Sequence, residues 1–176
     1  MEVLVVYKSK SGFTKKYANW IAEELFADVY EVSKVTPKML KKYDTLIYGG
    51  GIYAASINGL DVVKRNMNIL NGKNIVVFAT GVSPPREEVV EDVKNKNFSH
   101  EEQKNIEFFY FRGGFDYDKL NFLDKFIMTL MKWSLKRKKS RTSDEEGMLA
   151  AYESPVDFTK KSNVDKLTEF VKEKCH

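Results

Sequence analysis

The stretch EVLVVYKSKSGFTKKYANW, residues 2 to 20, joins an apolar run to a loop of lysines and hydroxyls and then to a helical pattern. The apolar run is typical of a buried strand because Val and Leu dominate it. From about Gly12 to Phe26 the apolar residues recur at helical spacing. A buried strand that passes through a short loop into a helix is the first unit of an α/β fold.

The same alternation continues along the chain and predicts one doubly wound domain over residues 1–176, with helices on both faces of a parallel sheet. Four further strands are expected at 28–32, 44–50, 73–81 and about 105–112. Helices are expected at 36–43, from Ser56 or Ile57 to Leu70, in part of 85–104, and from Ser162 to about Lys174. Thr36 and the pair Ser162 and Asp165 are the expected capping residues.

The amino-acid composition indicates which classes of protein this chain can belong to. With 176 residues and 43% hydrophobic content the chain can bury a full core. The single cysteine, Cys175, excludes an intrachain disulfide, and neither His100 nor His176 has a partner at metal-ligand spacing, so no metal site is expected. Residues 1 to 20 lack the apolar run of a secretion signal, which favours the cytoplasm or the inner face of the cell membrane.

The loop after the first strand is a candidate anion site. It runs from Ser9 through Lys10, Ser11, Gly12 and Phe13 to Thr14 and leads directly into a helix, whose N-terminal N–H groups and dipole attract phosphate. Ordinary helix capping explains such a loop equally well. The loop does not match the nucleotide-triphosphate pattern G-x-x-x-x-G-K-[ST], because Ser9 stands where a glycine must precede the lysine.

Two further loops are expected at the same edge of the sheet. GGGIYAAS, residues 49 to 56, places three glycines before the large ring of Tyr53, which suits a planar ligand. After the fourth strand, ATGVS at 79 to 83 supplies small residues. Ligands of open α/β sheets bind beyond the carboxyl ends of the strands, so the three loops are expected to form one site.

Together these three loops resemble those of the flavodoxin family. The resemblance implies a sheet order of 2-1-3-4-5 and noncovalently bound flavin mononucleotide (FMN), with Tyr53 against the ring and a peptide at Gly50 or Gly51 turned toward it. It implies that the phosphate is held by Ser9, Lys10, Ser11, Gly12, Phe13 and Thr14. The ring would contact Gly50, Gly51, Ile52, Tyr53, Ala54, Thr80, Gly81, Val82 and Ser83.

A segment of about 40 residues, 113–152, separates the fifth strand from the last helix, and we refer to it as the inserted segment. Its FLDKFIMTLMK run is similar to that of the flavodoxin-type protoporphyrinogen oxidases that use menaquinone. That resemblance implies an FMN-dependent oxidoreductase for protoporphyrinogen IX or a related reduced substrate, in heme biosynthesis, with a quinone as acceptor. The alternative is a flavodoxin-type electron carrier between redox proteins.

The helix expected from about Lys119 to Lys139 carries a wide apolar face and ends in the basic run Lys136, Arg137, Lys138 and Lys139. The face either packs on the domain's own sheet or on a second copy in a homodimer, or it enters a membrane surface with the basic run on anionic lipid. A nucleic-acid partner is not expected, because no recognition motif accompanies the basic run.

Overall fold

A computed structural model describes residues 2–53, 55–120 and 122–174. Five parallel strands form the central sheet: β1 (Val3–Lys8), β2 (Asp28–Glu31), β3 (Thr45–Tyr53), β5 (Asn74–Gly81) and β6 (Ile106–Arg112). Their order is β2-β1-β3-β5-β6, and a short β4 (Ser56–Ile57) pairs antiparallel with β3. The predicted order of the five parallel strands is therefore confirmed.

Helices alternate with these strands. Those that precede β6 are α1 (Phe13–Leu25), α2 (Pro37–Leu40), α3 (Asp61–Arg65), α4 (Met67–Leu70), α5 (Glu87–Asn97) and α6 (His100–Asn105). After β6 come β7 (Gly114–Phe115), α7 (Phe122–Arg137), α8 (Ser143–Ala151), β8 (Val156–Asp157) and α9 (Asp165–Lys174). Thr36 caps α2 as predicted, since its hydroxyl accepts the backbone N–H of Met39.

Both faces of the sheet are covered, as the continuous apolar character of the strands requires. Successive residues of each central strand point to opposite faces, so Val5 packs against α1 and α9 while Leu4 and Val6 pack on the other side. Tyr17 and Ile21 of α1 are fully buried. This packing fixes the start of α1 directly beyond the carboxyl end of β1.

The prediction for residues 49 to 70 is wrong in two respects. β3 continues through the glycines to Tyr53 and turns back into β4, with the N–H of Asn58 donating to the carbonyl of Gly51. The single helix expected from Ser56 to Leu70 is instead β4 followed by the short helices α3 and α4. Gly59, which lies between β4 and α3, has a φ of 76°, a left-handed conformation that a continuous helix cannot contain.

The last helix begins later than predicted. Ser162 lies in a 3-10 turn, Lys161–Val164, and α9 starts at Asp165, so Ser162 and Asp165 do not form a capping box. The side-chain amide of Asn163 donates to the hydroxyl of Tyr17 at 2.8 Å. This contact with α1 holds the 3-10 turn in place ahead of the helix.

The inserted segment forms a small substructure of its own at the carboxyl edge of the sheet. Phe115, Leu120 and Ala151 form its buried cluster, against which Met128 and Tyr152 pack. β7, at the start of the segment, pairs antiparallel with β8, which follows the segment in the chain, so that Phe115 lies opposite Val156. Val82, which follows β5, also packs on this cluster and links the segment to the sheet.

Candidate functional site

The loop from β1 to α1 has the geometry of an anion site. Gly12 is the N-cap of α1 with a φ of 93°, a conformation that glycine adopts without strain. Its N–H donates to the hydroxyl oxygen of Ser9 at 3.1 Å, which curls the loop. Within the described residues no side chain caps α1 and its first turn has no acidic residue. The N–H groups of that turn are therefore left for a ligand.

Two threonines join this loop to the neighbouring strand. The hydroxyls of Thr14 and Thr80 lie 2.7 Å apart in a hydrogen bond, and both side chains are buried. Gly51 lies next to them, and a Cβ built there would stand 3.5 Å from the Thr14 hydroxyl. The carboxyl ends of β3 and β5 thus meet the start of α1 at one point.

Tyr53 lies at the end of β3 with its ring over the loop. The Nζ atom of Lys10 is 4.3 Å from the ring centroid, a cation–π contact. Burial, with a smaller effect of the Asp124 carboxylate, raises the pKa of the Tyr53 phenol to about 12, although a hydrogen bond with Ser11 opposes the shift. The ring is therefore neutral at physiological pH.

Asp124 is a functional-site residue that sequence reasoning missed. It is buried on α7, and its Oδ1 atom lies 2.5 Å from the Nζ atom of Lys10. The inserted segment is thereby tied by an ion pair to the loop between β1 and α1. No local pattern indicates this contact, because 114 positions separate the two residues.

A cavity of about 140 Å³ lies at the carboxyl ends of β1, β3 and β5. Ten of the sequence-predicted residues line it: Lys10, Ser11, Phe13, Thr14, Gly51, Ile52, Tyr53, Thr80, Gly81 and Val82. The inserted segment covers the opposite side with Gly113, Gly114, Phe115, Leu120, Met128, Met131 and Met148. The predicted residues are thus brought together, and the residues missed by sequence reasoning cover them.

A second cavity, of about 290 Å³, adjoins the first and shares Val82, Met131 and Met148 with it. Ser83, the remaining predicted residue at the end of β5, lines this second cavity only. Its other lining residues are Pro84, Arg112, Leu135, Ser143, Glu145, Gly147, Val156 and Phe158.

Three predicted residues line neither cavity, and one lies outside the described residues. Ser9 and Gly12 stabilise the conformation of the loop through the hydrogen bond from the Gly12 N–H to the Ser9 hydroxyl oxygen. Gly50 is buried against β4, where an added Cβ would be 2.6 Å from Ile57. Ala54 is the predicted residue that the described ranges do not include.

The residues present fit FMN. A helix N-terminus with hydroxyl side chains suits the phosphate, and the aromatic ring of Tyr53 beside an apolar chamber suits the planar ring system. The cavity of about 140 Å³ at the three loops is smaller than most small-molecule sites, which begin at about 300 Å³, and the adjoining cavity of about 290 Å³ extends it.

The described residues offer two further negative findings. They contain no group of three or more His, Cys, Asp or Glu side chains placed to hold a metal ion. None of the helices in this part of the chain is long and apolar enough to cross a membrane.

Comparison with known proteins identifies the family to which the chain belongs. A sequence profile described as the flavodoxin domain matches residues 4–142, which includes α7. A protein of Methanocaldococcus jannaschii, described as uncharacterized, is 44% identical over 54 residues, which are 30% of this chain and 36% of that protein's length. The chain thus matches about a third of this relative.

Solved structures also match the chain, at low identity. The reduced flavodoxin of Megasphaera elsdenii is 13% identical with a TM-score of 0.46, covering 61% of this chain and 84% of that one. The WrbA-like flavodoxin of Agrobacterium tumefaciens is 21% identical with a TM-score of 0.43, covering 48% and 62%. The profile match spans well over half of the sequence. The chain therefore belongs to the flavodoxin domain family, which implies FMN as its cofactor.

Proposed function

We propose that this protein is an FMN-dependent oxidoreductase that oxidises a small reduced substrate of the porphyrinogen class, such as protoporphyrinogen IX, and passes the electrons to a quinone. The observation that carries the proposal is the position of the inserted segment. Its methionines cover the cavity formed by the three loops and leave an adjoining chamber of about 290 Å³. A chamber beside a covered flavin suits a small-molecule substrate better than a protein partner.

The chain's own residues have binding roles in this proposal. The first turn of α1 and Ser11 hold the phosphate, and Tyr53 packs on the ring and excludes water from it. When bound, FMN supplies the electron-transfer chemistry, so no protein nucleophile is required. Met128, Met131 and Met148 exclude water from the other side.

Arg112 is our candidate for substrate recognition in the larger cavity. Its guanidinium stacks on Phe158, with 3.6 Å between the guanidinium carbon and the ring centroid, and its Nε donates to the carbonyl of Val82. The remaining N–H groups of a guanidinium suit carboxylates, which porphyrinogens carry on their propionate chains. The chamber is otherwise lined mainly by apolar side chains.

The second candidate is an electron carrier between redox proteins. It is favoured by the exposed apolar side chains of α7, the helix that also covers the smaller cavity, because such a surface suits a protein partner. A carrier would deliver electrons to another protein and would not consume a porphyrinogen.

An anaerobic turnover assay separates the two candidates. The oxidoreductase converts protoporphyrinogen IX to a fluorescent porphyrin with menaquinone as acceptor, whereas a carrier shows no such conversion and instead exchanges electrons with ferredoxin-type proteins. Absence of porphyrin formation by FMN-loaded protein, together with rapid electron exchange with such a protein, would overturn the first candidate.

Gly147 offers a matched test of the larger cavity as the substrate chamber. It lines only that cavity, and a Cβ built on it meets no atom within 4 Å, so Gly147→Ala is tolerated. Gly147→Phe places a large side chain on the wall of the chamber and should reduce turnover at least tenfold relative to Gly147→Ala. Flavin reduction by dithionite should be equal in both variants. Equal turnover in both would exclude this cavity as the substrate chamber.

A further inference from the structure

The outer surface of α7 is apolar and exposed. Phe122 is 86% exposed, Leu123 70% and Phe126 59%, and further exposed apolar side chains follow along the helix: Ile127, Leu130, Met131 and Trp133. The inner side of the helix, with Asp124, Met128 and Leu135, faces the protein. Of the alternatives predicted for this face, packing on the chain's own sheet is therefore wrong. We refer to the exposed set as the α7 apolar face.

Positive charge accompanies this face. From Lys125 to Thr142 the sequence has seven basic residues and no acidic one. Helical spacing places Arg137 one turn beyond Trp133 on the same side, and its guanidinium stacks on the Trp133 ring at 3.3 Å. Ion pairs with α8 and the residues after it engage Lys132 and Lys138. The exposed residues Lys136, Arg137 and Lys139 form the basic end of the α7 apolar face.

We propose that the α7 apolar face is a docking surface for an anionic lipid membrane. Its apolar side chains would enter the boundary between head groups and acyl chains, with Trp133 at the head-group level. The basic end would meet anionic head groups. An anionic membrane therefore provides a partner both for the apolar side chains and for the basic end of the surface.

A second copy of the chain fits the same surface less well. In a two-fold dimer the same patch meets itself, and a second copy of the α7 apolar face would bring more cations, such as Lys136, Arg137 and Lys139, and no acidic residue from the stretch between Lys125 and Thr142. A membrane rich in anionic lipid instead supplies the opposite charge. The surface therefore favours lipid over self-association.

Membrane docking would have a consequence for the reaction. Met128 and Met131 of α7 line the smaller cavity, so docking of the helix would bring that cavity to the membrane surface, where lipid-soluble quinones reside. This consequence rests on the proposed function, whereas docking itself does not.

The test is co-sedimentation of FMN-loaded full-length protein with vesicles of phosphatidylcholine containing about a third phosphatidylglycerol, compared with phosphatidylcholine alone. We expect binding to the anionic vesicles only. The triple variant Lys136→Glu, Arg137→Glu, Lys139→Glu should bind on the order of a hundredfold more weakly or worse, because each cation contributes and each reversal adds repulsion. The double variant Leu123→Ser, Ile127→Ser should also lose binding, since both side chains belong to the α7 apolar face.

The matched control reverses three exposed lysines elsewhere, Lys38→Glu, Lys41→Glu and Lys42→Glu, which changes the net charge equally. It should retain vesicle binding within a few fold. Bound FMN, read from its absorbance, reports that each variant is folded.

Three results would overturn the proposal. They are parent protein that stays in the supernatant with anionic vesicles, a control that loses as much binding as the triple variant, and a dimer in solution that Leu123→Ser, Ile127→Ser dissociates while vesicle binding is unchanged. Protoporphyrinogen turnover is measured separately with detergent-dissolved quinone. A failed reaction is thereby distinguished from failed docking.

Discussion

Ser11 is the residue at which the phosphate assignment is tested with least disturbance of the fold. It lines the smaller cavity, is only half-buried and follows Lys10 in the loop before α1. We expect Ser11→Asp to weaken FMN binding roughly fivefold or more, because a carboxylate about 4 Å from the phosphate costs about 1 kcal/mol even in water. Fluorescence titration with FMN measures the change.

Thr36→Asp is the matched control for this variant. Thr36 caps α2 and lines neither cavity, and Asp is as good an N-cap as Thr. The control should bind FMN like the parent. Equal affinity of Ser11→Asp and the parent would place the phosphate elsewhere.

Tyr53 makes a prediction about stability at high pH. Burial raises the pKa of its phenol to about 12 from an ordinary value of 10.0. In the unfolded chain the phenol ionises first, so the free energy of unfolding has its full Tyr53 contribution below pH 10 and loses it as the pH rises from 10 to 12. Tyr53→Phe has no phenol to ionise and should lose less stability over that interval.

Urea unfolding of the parent and of Tyr53→Phe at pH 9 and pH 11 measures the difference. Tyr43 and Tyr152 also have a pKa raised to about 12, and they contribute equally in both proteins. An identical fall in the free energy of unfolding for the two proteins would show that Tyr53 is not held neutral by the fold.

At the level of elements, the ion pair between Lys10 and Asp124 joins α7 to the loop that precedes α1. Lys10→Met removes the ammonium from a buried carboxylate and should destabilise the packing of α7 by about 1–3 kcal/mol. Asp124→Asn keeps the shape of the side chain and should have the smaller effect. Hydrogen exchange of the α7 amides measures both.

The control for these variants is Lys16→Met, which removes an exposed ion pair with Asp157. Exposed pairs contribute little, so exchange in α7 should be unchanged in this control. If Lys10→Met also leaves exchange in α7 at the parental rate, the ion pair does not hold the inserted segment.

The sequence predicts the strands and the loops at their ends because those features arise from local patterns. The apolar run of β1 and the glycine before α1 indicate their structures without reference to the rest of the chain. The turn of β3 back into β4 depends on antiparallel pairing of Ile52 with Ile57, for which GGGIYAAS has no local sign. For that reason the extent of β3 and the break after Gly59 were predicted wrongly.

The sequence also did not predict which residues of the inserted segment cover the site, and the physical reason is different. Asp124 and Met148 reach the site through tertiary packing of the inserted segment, over more than a hundred positions in the case of Asp124. Periodicity identifies α7 as amphipathic, but it does not say which side faces the protein. Here most of the large apolar side chains face outward and a buried carboxylate faces inward.

The whole molecule is a flavodoxin-family fold in which the inserted segment lies at the carboxyl edge of the sheet. The three loops at the carboxyl edge of the sheet bring together the FMN-site residues predicted from sequence, and the inserted segment covers them. The same segment presents an apolar surface to the outside. With the proposed membrane docking, the inserted segment would both cover FMN and bring the protein to a lipid surface.

Hydrogen–deuterium exchange of the full chain with and without FMN tests the central claim, which is that FMN binds between the loop of residues 9–14 and the inserted segment. We predict that FMN slows exchange in this loop and in α7 together, because both line the same cavity. Riboflavin, which lacks the phosphate, should protect the loop less. Protection of residues 9–14 with unchanged exchange throughout α7 and α8, or no protection at either place, would contradict the account.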